Sequence, residues 1–337
     1  MTTANRSPQP PALPPAAAAP GLPSDLTAPV TITRILDAPR ARVFAAWTDP
    51  AQVAQWWSPH GFTTPLCELD VRPGGAMLMH MLGPDGVIYP DKGVYHEIVP
   101  PERLVFTSTA IEDESGQPQL EVRTTVTFAE YQGKTKLTLQ AVVVRATPAV
   151  AGALAGMAAG WSQSLEKLAE YLGTGNVTPQ APGFGTVFTT PSEQTLMLTR
   201  VFNAPRALVW RAVTDPAQVA QWWGRRHSTT TVDQMDLRPG GRWRFVTRDP
   251  GGSEEAFHGE YREIVPPERL VQTFEWEGLP GHISVETLTL EEQDGQTRMT
   301  ATSSFPTVED RDGMIASGME AGARETWDRL ADLLARG

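Results

Sequence analysis

One cysteine, Cys67, stands in 337 residues. A single thiol can form no intrachain disulfide and cannot assemble a cysteine-based zinc site. A reducing, cytoplasmic setting is therefore expected. Long apolar runs are also missing, since nothing approaches the ~20 residues that a membrane-spanning helix needs. Basic charge is scarce as well: Lys and Arg number 28 against 39 Asp and Glu, a formal net charge of −11. Nucleic acids and anionic bilayers are both bound through clustered cations, so neither nucleic acid nor membrane is expected as a partner. No G-x-S-x-G, Ser/His/Asp order, phosphate loop or dinucleotide fingerprint occurs. The six histidines show no metal-ligand spacing such as H-x-x-x-H. Neither metal nor cofactor is expected, and no catalytic residue is assigned.

What is present is a globular composition, 40% hydrophobic and 20% charged. Residues 1–27 are the exception. Their prolines interrupt any apolar h-region and Arg6 is the one early basic residue, so a disordered Pro/Ala-rich tail is expected rather than a signal peptide.

The remainder is a duplication. The run TRILDAPRARVFAAWTDPAQVAQWW from Thr33 recurs as TRVFNAPRALVWRAVTDPAQVAQWW from Thr199. The same offset relates Asp70-Val71-Arg72-Pro73-Gly74-Gly75 to Asp236-Leu237-Arg238-Pro239-Gly240-Gly241, and Glu97–Val105 to the identical run Glu263–Val271. A slightly shorter offset relates Gly156-Met157-Ala158-Ala159-Gly160 to Gly318-Met319-Glu320-Ala321-Gly322. Repeats of this kind mark repeated structural units. Domains are expected at 28–174 and 194–337, joined by a Gly/Pro/Thr-rich linker at 175–193.

Each unit reads as strand, two short helices, about six antiparallel strands and a long closing helix. Val30–Leu36 and Leu196–Phe202 alternate as strands do. Asp49-Pro50 and Asp215-Pro216 form an N-cap followed by Pro at the first helical position. Pro73-Gly74 and Pro239-Gly240 suit a type II turn, while Gln132-Gly133 and Asp294-Gly295 suit hairpins. The closing helix carries an apolar face: Met157, Trp161, Leu165 and Leu168 in the first copy, Met319, Trp327 and Leu330 in the second. The expected fold is α+β: two tandem helix-grip domains, each a curved antiparallel sheet wrapped around its C-terminal helix. Concavity leaves room for a pocket between sheet and helix.

The A-P-x-x-x-V/L-(F/W) start, the D-P-x-x-V-x-x-W-W helix, the D-x-R-P-G-G turn and the I-V-P-P-E-R-L corner resemble the SRPBCC (START/polyketide cyclase-like) superfamily. Within it they are most similar to homologues of the C-terminal domain of the heat-shock-protein-90 ATPase activator. Trp56-Trp57-Ser58-Pro59-His60-Gly61-Phe62 and Ser317-Gly318-Met319-Glu320-Ala321-Gly322 carry that likeness. The second copy departs from it, with Arg225-Arg226-His227 where the first has Pro-His-Gly. The activator's separate N-terminal domain has no counterpart in residues 1–27.

Candidate ligand-binding residues are those that alternation or helical spacing aims between sheet and helix. Trp56, Trp57, Trp222 and Trp223 either stack on a flat ligand or anchor the short helices. Trp161 lies on the closing helix. Met77, Met79 and Met81 form either an adaptable lining or the filling of an irregular core; Trp243, Phe245 and Thr247 replace them in the second copy, whose cavity is expected to differ in shape and to be the smaller. His60 is a candidate donor at the pocket rim. Glu286 points inward if Leu288 and Leu290 do, as an acid or base beside Tyr261, or else it sits at the strand end in solvent. The expected function is non-catalytic binding of a small hydrophobic or amphipathic molecule. The resemblance implies two alternatives, a protein-interaction module with a chaperone partner and an aromatase/cyclase-like enzyme.

Overall fold

The computed structural model describes residues 22–24, 26–113, 115–173 and 185–336. The expected tail falls largely outside these, but Leu22 and Leu26 pack against the first core. In the first unit β1 (Val30–Leu36) leads into α1 (Arg40–Thr48) and α2 (Pro50–Trp56). Asp49 caps α2, its side chain accepting from the Ala51 N–H at 2.9 Å with Pro50 at the first helical position. Six strands follow: β2 (Thr63–Leu69), β3 (Ala76–Leu82), β4 (Ile88–Val99), β5 (Arg103–Glu112), β6 (Pro118–Tyr131) and β7 (Lys134–Ala146). They form an antiparallel sheet in the order β1-β7-β6-β5-β4-β3-β2. The 21-residue α3 (Ala151–Tyr171) covers its concave face, burying Leu154, Leu165 and Leu168.

Local chemistry sets the corners. In Arg72-Pro73-Gly74-Gly75 the Gly75 N–H bonds the Arg72 carbonyl at 2.8 Å, with Gly74 at φ +80°, the type II geometry that only glycine takes without strain. Gly75 is required for a second reason: a Cβ there would lie 1.9 Å from the Asp70 carbonyl oxygen. Gln132-Gly133 and Asp294-Gly295 have positive φ at both residues, as a two-residue hairpin demands.

The second unit repeats the plan with β9 (Thr195–Phe202), α4 (Arg206–Thr214), α5 (Pro216–Trp222) and β10 (Thr229–Met235), then β11 (Arg242–Arg248) and β12 (Glu254–Val265). It continues through β13 (Arg269–Trp276), β14 (Ser284–Gln293) and β15 (Gln296–Ser304). Two features differ from expectation. Part of the expected linker is a strand, β8 (Val187–Ser192), which pairs with β9 and extends the sheet to β10-β11-β12-β13-β14-β15-β9-β8. The closing helix, expected to be continuous, is broken into α6 (Val308–Ala316) and α7 (Met319–Leu334). Gly318 adopts φ +77°, and the Ser317 and Gly318 N–H groups bond back into α6, the manner in which a left-handed glycine ends a helix. Its counterpart Gly156 stays helical within α3. A glycine permits both outcomes.

The units also pack on each other. β8 lies beside β1, where the Thr190 and Thr33 hydroxyls are 3.2 Å apart. α3 contacts β8 and α6 contacts β1. Among the described residues no helix is long and apolar enough to cross a membrane.

Candidate functional site

The first interior is filled. Trp47 of α1 stacks on Trp161 of α3 at 6.2 Å and 19°, and Trp57 meets both rings edge-on, at 6.1 and 5.3 Å. Phe106 of β5 closes the group 6.0 Å from Trp57. A crevice lined by Trp47, Trp57, Met77, Tyr95 and Phe106 has no room for even one water molecule. Trp56 is fully buried, its indole N–H donating to the Ala46 carbonyl at 2.9 Å, which ties α2 to α1. Met77 and Met79 are buried in the core and Met81 packs against it.

The second interior is hollow. A cavity of about 110 Å³ lies among residues that include Trp222, Trp223, Phe245, Tyr261, Glu286 and Trp327. Comparison of the copies gives the physical reason. Trp47, Trp161 and Phe106 are replaced by Val213, Ala323 and Gln272, so large rings disappear from three sides of one space. Leu165 becomes Trp327, which refills part of it. The expectation that the second cavity would be the smaller is thus reversed. It rested on one strand, where Trp243 and Phe245 do replace methionines. Those two rings pack on each other at 4.8 Å, and the space was decided by α4, α7 and β13. Trp222 repeats the anchoring role of Trp56, donating to the Ala212 carbonyl at 2.8 Å.

Across the inner sheet runs one polar rung. Tyr261, Gln272, Glu286 and Ser303 stand directly opposite one another on β12, β13, β14 and β15, and cross-strand partners share a face. The first domain has Tyr95, Phe106, Thr124 and Ala141 in the same register. Ser303 Oγ donates to Glu286 Oε1 at 3.3 Å, and the Gln272 side chain supplies a second hydrogen bond. Burial pushes the Glu286 carboxyl above the usual range, against the pull of these two bonds. Burial likewise raises the Tyr261 phenol. Of the two readings of Glu286, the inward one describes its position: it lines the cavity beside Tyr261. Gln272 and Ser303 escaped sequence reading. The signal was there, in the replacement of Phe106 and Ala141 by polar residues at matched positions.

Two other groups lie elsewhere. His60, expected at a pocket rim, sits at the domain interface with Nε2 3.1 Å from Glu166 Oε2. Asp91, which sequence reading passed over, is a buried carboxyl on β4 held by Trp57 and Ser108; burial raises its pKa to about 7. Among the described residues no group of three or more His, Cys, Asp or Glu is placed to hold a metal ion.

The comparisons with known proteins bear on both units. No curated protein matches the chain. Three solved structures similar to it each align with less than half of it. A protein from Mycobacterium smegmatis is 28% identical over 42% of this chain and 91% of its own, with a TM-score of 0.40. One from Rhodobacter sphaeroides is 27% identical over 45% and 99%, at 0.43. The AHSA1 protein from Silicibacter pomeroyi is 26% identical over 43% and 98%, at 0.37. The family model described as Activator of Hsp90 ATPase homolog 1-like protein matches residues 37–173 and, a second time, residues 203–335. The chain therefore belongs to the Activator of Hsp90 ATPase homolog 1-like family and carries its domain twice.

Proposed function

We propose that the protein binds a small hydrophobic or amphipathic molecule in the cavity of its second domain, while the first domain serves as a packed scaffold. Family membership is compatible with a ligand-binding or an interaction module; fold alone does not choose between them. The observation that carries the reading is the asymmetry of the two interiors. One scaffold is filled by Trp47, Trp57 and Trp161, and the other keeps a hollow of about 110 Å³ with polar groups on one wall and aromatic rings around it. Ligand sites commonly combine mostly apolar walls with few oriented polar groups.

Native mass spectrometry of the full chain purified from its own host, with a thermal-shift panel of small apolar molecules, tests this. The expected result is a retained or stabilising small molecule. A paired Val213→Trp and Ala323→Trp variant, which restores the first-domain residues, should lose it. Absence of any retained molecule and of any shift across the panel would remove the reading. Stimulated ATP hydrolysis by the host's chaperone under those same conditions would then favour the interaction module.

A further inference from the structure

Glu286 is an acid in a cavity without a base. Among the described residues no Lys, Arg or His lines the hollow, and none of them brings a charge that contributes to the state of the Glu286 carboxyl. Its protein partners are Ser303 and Gln272, whereas a carboxylate offers about four acceptor positions. Two donors leave acceptor capacity over on a side chain that lines the cavity, and a buried acceptor is completed by a donor. The surrounding wall is aromatic, with Trp222, Trp223, Phe245, Tyr261 and Trp327, and aromatic faces attract cations. A volume of about 110 Å³ is somewhat below the roughly 150 Å³ of an apolar cavity that admits benzene.

We propose that this cavity is a site for a small organic cation, a protonated amine whose ammonium donates to Glu286 and whose short hydrocarbon part lies against the aromatic rings. The inference rests on the cavity being the binding site. Charge selects among occupants of this size: an ammonium supplies the missing counter-charge to Glu286, whereas a carboxylate ligand adds a second acid without one and a neutral alcohol gains nothing from the electrostatics of the rings. The first domain has Phe106, Thr124 and Ala141 in place of Gln272, Glu286 and Ser303, so one amine site per chain follows.

Three probes of nearly equal size separate the outcomes: n-butylamine, n-butanol and n-butyrate, titrated into the full chain by calorimetry at neutral pH. The expected result is one amine per chain, bound at least tenfold more tightly than the alcohol, with no binding of butyrate. In Glu286→Gln, amine affinity should fall to that of the alcohol while alcohol affinity stays unchanged. Alcohol binding as tightly as the amine overturns the cation assignment and leaves the cavity reading standing. An amine affinity untouched by Glu286→Gln does the same. Failure of all three probes to bind overturns the amine assignment, and the cavity reading then stands or falls with the retained-molecule and thermal-shift measurements. The comparison on the unaltered chain decides the matter even where the Gln variant folds poorly.

Discussion

Arg324, in the last helix of the second domain, forms an ion pair with Glu166, in the closing helix of the first. Arg324 also pairs with Glu320 at 2.7 Å, and Glu320 reaches back to Arg34 of β1 at 3.1 Å. His60 lies against the second oxygen of Glu166, and the Ser162 hydroxyl takes hydrogen bonds from both arginines. The two domains are thus joined through a largely buried network of alternating charge, in which each charged group has a partner across the boundary or beside it. Burial pushes the Glu166 carboxyl up, but His60, Arg324 and Arg34 together outweigh it and hold the pKa below the ordinary value.

Removing one member of such a network strands the others. Arg324→Met is expected to destabilise the docked protein by about 3 kcal/mol or more, measured by urea unfolding. Adding Glu166→Leu should return part of that loss. A double-mutant cycle with no coupling between the two sites would contradict the network.

Acid should loosen the same boundary. A carboxylate with a depressed folded-state pKa contributes stability that is present above its unfolded pKa and disappears as pH falls through the folded value. For Glu166 the loss begins below about pH 4.5, its ordinary value. Thermal scans from pH 5 to 3 should show a steeper decline for the native chain than for Glu166→Gln.

Asp91 gives the opposite slope. Its folded pKa of about 7 lies above the unfolded value of 3.8. The Asp91 contribution to stability is therefore fully present below about pH 4 and is lost as pH rises through 7, by up to roughly 4 kcal/mol. Asp91→Asn, which stays neutral, should flatten the melting temperature between pH 5 and 8 and leave the variant the more stable at pH 8. Parallel profiles for the two proteins would rule this out.

Trp47 fills the space that its counterpart Val213 leaves open. Trp47→Val should cost about 3–5 kcal/mol, from lost burial together with the cavity left behind. It should also create a dry hollow in the first domain. Benzene or xenon, added during thermal unfolding, would then stabilise the variant by more than the native chain, whose second domain already holds a hollow.

Asp215 caps α5 through the Ala217 N–H at 2.9 Å. Asp215→Ala should lower stability by about 1 kcal/mol, and Asp215→Asn by much less, since the amide oxygen can still accept. Chemical denaturation of the three proteins distinguishes the cap from a general charge effect.

Much of the scaffold was readable in the letters because it depends on short-range chemistry. The caps at Asp49 and Asp215, the turns at Gly74 and Gly240 and the hairpins at Gly133 and Gly295 each follow from a few adjacent residues. Gly318 shows where that stops: it breaks the second closing helix, while Gly156 leaves the first one whole. Alternation on its own strand offered the inward position of Glu286 as one of two readings. Its partners did not, because Gln272 and Ser303 belong to neighbouring strands and meet it only through sheet register.

By itself the sequence determined the duplication, the α+β class, the order of elements shared by the two units and the matched positions at which the copies diverge, because periodicity and turn chemistry are local; strand β8 and the break between α6 and α7 were not among them. Which interior is hollow was decided only by tertiary structure. Volume is a sum over residues from separate elements, and exchanges at Val213, Ala323 and Gln272 outweighed the larger rings on β11. The place of His60 was decided the same way. A loop residue beside the Trp pair became part of a domain boundary because α3 and α7, 150 or so residues apart in the chain, bring Glu166 and Arg324 together there.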